Sequence, residues 1–170
     1  MGLRLTDIAI VLAAAAAAAA ASPAHAATVT AQARAKVVKP LVLTSIRDLE
    51  LGTLVLAGGS WPAATVTLSS DGTLTCPANI TCIGTTQTAG YNISGSNNET
   101  ITVNAPDVTL VNQSDSTKTL TLVVDAPTSL NLPNSGNPGV DFAIGGSIDI
   151  GSATAEGDYA GTFKVTVDYQ

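Results

Sequence analysis

The chemistry open to this chain is bounded by its single imidazole. His25 lies inside Ala24-His25-Ala26, a small-x-small pattern of the kind cut when an export signal is removed. With that segment gone no histidine is left, so Ser-His-Asp and Cys-His mechanisms have no base. Carboxylates remain at Asp48, Glu50, Glu99, Asp107, Asp125, Asp141, Asp149, Glu156 and Asp158, but none is spaced as a motif. Single carboxylates on strand faces and turns read as solvated surface. No catalytic residue is assigned, and the chain is not expected to be an enzyme.

Binding chemistry is equally sparse. Asn97, Asn98, Glu99 and Asp141 offer hard oxygens, yet their spacing matches no calcium loop, and turn formation accounts for them. Cys76 and Cys82 are the only cysteines; in an oxidising compartment they are expected to form a disulfide. Zinc is the weaker reading, since two thiolates without a histidine supply too few soft ligands. No metal or cofactor is expected. Trp61 with Tyr91 offers a sugar-stacking platform, against the alternative that a tryptophan in Gly-Gly-Ser-Trp-Pro plugs one end of a sandwich. Four Asn-x-Ser/Thr sequons, at Asn79, Asn92, Asn98 and Asn112, are the chance yield of a chain rich in those residues.

The elements that must position these residues begin after an address. Arg4 precedes an apolar run over residues 8–21, too short to cross a bilayer as a helix and followed by the cleavage pattern. Residues 1–26 therefore read as a cleavable helical signal peptide, with the exported chain starting at Ala27. Arg4 and Asp7 leave together, so the net charge stays at −6. Nucleic acid is excluded as a partner, because a phosphate-tracking surface needs clustered cations. No second long apolar segment follows, so stable membrane insertion is not expected.

Beyond Ala27 the period is two. Val29, Ala31, Ala33, Ala35 and Val37 alternate with polar neighbours over residues 28–38, the pattern of a half-buried strand, and Pro40 interrupts it. Further strands are expected over residues 41–46, 52–57 and 64–69, around Ile101 and Val103, around Val108 and Leu110, and from Leu120 to Val124. Residues 85–98 read as surface loops around a weak strand at 91–94, and residues 131–139 as another loop. A strand over 142–150 is expected to bend at Gly145-Gly146. Tyr159, Gly161, Phe163, Val165, Val167 and Tyr169 line one face of a long final strand. Many short strands without helical periodicity predict a two-sheet β-sandwich over residues 39–170.

Several pieces together resemble a known family: Pro40-Leu41 with Leu49-x-Leu51-Gly52-Thr53-Leu54, the 59–68 segment ending Thr65-Val66-Thr67-Leu68, Gly145-Gly146, and Gly157-Asp158-Tyr159-Ala160-Gly161-Thr162-Phe163-Lys164-Val165-Thr166-Val167-Asp168-Tyr169. The chain is similar to a secreted bacterial family labelled only as a domain of unknown function, which itself looks like the pilin subunits of chaperone-usher fibres and the spore-coat-U-like proteins. The resemblance implies an incomplete immunoglobulin-like sandwich whose groove takes the N-terminal strand of the next subunit. Residues 27–38 would then be the donor, entering with Val29, Ala31, Ala33, Ala35 and Val37. Tyr159, Phe163, Val165, Val167 and Tyr169 would form one groove wall. A periplasmic chaperone and an outer-membrane usher are the partners so implied, besides other copies of the chain.

The expectation is a non-enzymatic subunit of an extracellular fibre or surface layer, crossing the periplasm on its way to the cell surface and assembled by strand exchange. The alternative is a monomeric secreted adhesin or glycan-binding domain in which residues 28–38 complete their own sandwich. An exposed strand edge binds any extended segment that matches it, so the two readings differ only in whose segment arrives.

Overall fold

The computed structural model describes residues 26–133 and 138–170. The signal peptide expected at residues 1–26 lies, Ala26 apart, outside the described residues. The chain divides into two units, residues 1–35 and 36–170. In the first, the described residues 26–35 carry no strand and are exposed throughout. The second is all-β and sandwich-like, with no helix among the described residues. Among them, accordingly, no helix is long and apolar enough to cross a membrane.

One layer is a large antiparallel sheet. Its main path runs β1 (Val42–Arg47), β6 (Ala89–Ser94), β11 (Val140–Ile150), β9 (Thr119–Asp125), β8 (Val108–Asn112) and β12 (Tyr159–Ala160), with β3 (Ala64–Leu68) and β4 (Leu74–Thr75) branching from β11. The branch occurs where the glycine pair was expected to bend the strand. β11 pairs with β6 from Val140 to Ile144, then with β3 from Gly146 to Ile150. A Cβ at Gly145 would overlap the Leu68 carbonyl and the backbone of Ser69 and Ser70, so only glycine lets the two backbones cross this closely.

The facing layer comes in two pieces. One is β10 (Ser129–Leu132), β7 (Glu99–Asn104) and β13 (Thr166–Tyr169), in that order; the other is the ribbon of β2 (Thr53–Leu56) with β5 (Ile80–Ile83). No ladder joins the two pieces among the described residues. Each packs over a different half of the large sheet. Ile101, Val103 and Leu132 meet Ala89, Ile93, Phe142 and Ile144 in one buried cluster, while Ile80 joins Val66, Leu122, Ile148 and Ile150 in another. Alternation of apolar and polar residues produces both, since period two puts every second side chain on the inner face.

Several expectations change. The weak strand expected at 91–94 is present as β6, which begins earlier at Ala89 and is one of the most buried strands, with Ile93 fully enclosed. Its small residues serve close approach rather than turning: the Arg47 side chain lies across Gly90 and donates to the Thr88 carbonyl at 2.9 Å. Likewise Asn131 and Leu132 belong to β10, and Leu132 is fully buried. The final segment is not one strand. It splits into β12, paired with β8, and β13, paired with β7, leaving residues 161–165 without a ladder as the chain passes from one layer to the other. Residues 28–38, read as a strand, have no ladder partner.

Candidate functional site

The seam between the two pieces of the second layer is the feature with binding chemistry. Three half-buried side chains, Leu49, Val124 and Phe163, pack against both core clusters and so mark where the pieces meet. Leu49 leads into β2 and Phe163 leads into β13. Leu51, Leu54 and Leu56 continue the apolar row on the β2 side; Val165, Val167 and Tyr169 continue it on the β13 side. These eight flanking residues are only half-buried.

Both strands bordering the seam are edges. Among the described residues β13 pairs only with β7 and β2 only with β5, so each has a row of backbone groups with no ladder partner among them on its other side. An exposed strand edge can pair with an extended segment through main-chain hydrogen bonds.

The residues expected to line a groove wall lie on different elements. Phe163, Val165, Val167 and Tyr169 pack against one cluster, whereas Tyr159 sits on β12 and its hydroxyl donates to the Ala155 carbonyl at 2.9 Å. The residues expected to form a donor strand are exposed: Val29 is 92% and Val37 93% exposed, and Ala31, Ala33 and Ala35 are exposed as well. Cys76 and Cys82 are joined in a disulfide that closes the turn entering β5.

The other candidates resolve into structure. Trp61 packs with the second cluster, its indole N–H donating to the Ala57 carbonyl at 3.1 Å, while Tyr91 stacks on Phe142 in the first with ring centroids 5.5 Å apart. They do not share a platform. Burial pushes the Tyr91 phenol up, and the negative charge of Asp48 adds to it. Asp141 accepts from the Asn92 amide at 2.6 Å, Glu99 pairs with Lys36, and Asn98 adopts a left-handed turn conformation (φ 59°). Among the described residues no group of three or more His, Cys, Asp or Glu is placed to hold a metal ion. Asn112, in one of the sequons, is 2% exposed and bonded through both ends of its amide.

Sequence reasoning missed the leucine side of the seam. Leu49, Leu51 and Leu54 were noted as a pattern, but their spacing gave no partner. It also missed a node at the end of β13, where the Tyr169 hydroxyl meets Ser96 and Lys39. The tyrosine's place at the end of an alternating apolar row was the available signal, since a buried phenol needs a hydrogen-bond partner.

What fold and site define is a β-sandwich-like domain with an unclosed second layer. The chain belongs to the family described as Domain of unknown function (DUF4402), which matches residues 41–169. No curated protein and no solved structure matches it.

Proposed function

We propose that this protein is a non-enzymatic structural subunit of an extracellular fibre or surface layer, exported through its N-terminal signal and polymerised by strand exchange as pilin subunits are. The observation that carries the reading is the split second layer: three strands and two strands, each ending in an unpaired edge beside a half-covered apolar row. One inserted strand would join them into a single six-stranded sheet, completing an immunoglobulin-like sandwich.

The occupant is residues 28–38 of a second copy. That segment alternates Val29, Ala31, Ala33, Ala35 and Val37 with polar neighbours, has no ladder of its own and is exposed. The three alanines fit the site's chemistry, because the acceptor supplies the bulk through Phe163, Tyr169 and four leucines. Two buried valines contribute about 1.5–3 kcal/mol each. Main-chain hydrogen bonds, at about 1 kcal/mol net apiece, contribute most of the rest. A periplasmic chaperone and an outer-membrane usher are the partners that would guard and order such a groove.

The test compares residues 27–170 with residues 39–170 by light scattering and electron microscopy, then adds a synthetic 28–38 peptide to the shorter chain. Polymers from the first, monomers from the second and saturable binding of the peptide are expected. Val29→Asp or Ala33→Asp should weaken peptide binding by about a hundredfold or more, since each buries an unpaired carboxylate. A stable, monodisperse monomer of residues 27–170 would instead favour a monomeric adhesin-like domain.

A further inference from the structure

An exchangeable strand beside an open groove has two destinations, its own molecule's seam or another's, and residues 36–39 bear on which it takes. The Tyr169 hydroxyl donates to the Lys39 carbonyl at 2.7 Å and accepts from the Ser96 N–H at 2.7 Å. The Lys39 N–H donates to Ser96 Oγ at 2.6 Å. A side chain at Gly95 would fall on the Tyr169 hydroxyl and on Leu41, so the glycine makes room for the node. Lys39 is thereby fixed at the Tyr169 end of β13.

Three residues earlier, Lys36 is ion-paired with Glu99, the first residue of β7. β7 and β13 are antiparallel with Tyr169 opposite Ile101, which puts Glu99 opposite a position two residues past Tyr169. From Lys39 back to Lys36 the chain thus passes beyond the end of the wall strand instead of returning along it. Self-insertion requires the reverse. With Lys39 at Tyr169, Lys36 would lie near Thr166, about 16 Å along the ladder from the position facing Glu99, at roughly 3.3 Å per residue. That is more than a lysine side chain spans.

Resting on the strand-exchange reading, we infer that the Lys39–Ser96–Tyr169 node and the Lys36–Glu99 pair form a directional anchor that withholds the N-terminal segment from its own seam and offers it to a second copy. The contact is then heterologous, head to tail, and grows as an open chain.

The experiment uses the exported protein, purified as wild type and as Tyr169→Phe/Glu99→Gln, which keeps the aromatic ring in the core while releasing the anchor. Size-exclusion chromatography with light scattering gives the monomer fraction, and a fluorescent 28–38 peptide reports whether the monomer's seam is already filled. Released from the anchor, the variant should show about tenfold more monomer that refuses the peptide. A second set guards against a folding defect: Lys36→Glu alone should raise that fraction, and adding Glu99→Lys should lower it again. If all variants polymerise as wild type does, the anchor is overturned and strand exchange stands. If wild type neither polymerises nor leaves a peptide-accepting seam, the underlying reading fails and the anchor with it.

Discussion

Asn112 shows how one polar residue can fasten a β-domain. Its amide nitrogen donates to the Glu156 carbonyl at 2.9 Å, and its oxygen accepts from the N–H groups of Ser114 and Asp115 at 2.8 and 3.1 Å. It ties the β8–β9 turn to the loop before β12, which delivers the final segment to the seam. Asn112→Ala should cost on the order of 3 kcal/mol in chemical denaturation, since the buried amide gives up three hydrogen bonds that fasten two loops. Gln113→Ala, on the exposed neighbour, should stay within about 0.5 kcal/mol. Two exposed aspartates act on acid stability. Asp71 is held below the usual carboxylate range by the Thr73 N–H, and Asp115 by the Thr117 hydroxyl and N–H. A pKa lowered on folding gives stability that is complete above the unfolded value, about 3.9, and is lost as pH falls through the folded one. Thermal melts from pH 6 to 2 should therefore lose stability below about pH 4, and Asp115→Asn should make that limb shallower.

At the scale of elements, what was legible followed from period two. β1, β2, β3, β8 and β9 lie where alternating runs predict them, and the glycine pair in β11 marks its change of partner. The burial of β6 and the extent of β10 were missed because both are built partly from Gly, Asn and Ser, residues that favour turns but also let neighbouring groups approach closely, and a single chain does not distinguish the two uses. β4 and β5 were hidden because Cys76 and Pro77 read as a turn without showing which strands it connects. The last segment reads as one strand because its inner row is unbroken, yet it crosses between layers at residues 161–165. As for the seam, the wall residues from Phe163 onward were legible and the leucines opposite were not, because pairing across a gap is a tertiary fact with no local signature.

For the whole molecule, the decisive contrast is between one continuous layer and one divided layer. The ordinary burial row of a sandwich is here left half-covered along a line, and half-burial of Phe163 and four leucines is costly for an isolated domain. On the strand-exchange reading, a strand lent by a neighbour would offset that cost and close both edges, and the seam would need guarding before assembly.

β11 also has a thermal consequence. Phe142 and Ile144 on its first half serve one buried cluster, and Ile148 and Ile150 on its second half serve the other, so the same eleven residues are shared property. Neither half can melt and leave its companion intact, because each would take the common spine with it. Scanning calorimetry on the unassembled protein should show one endotherm, with calorimetric and van't Hoff enthalpies in agreement. Two resolved peaks would mean that the halves come apart independently despite the strand they have in common.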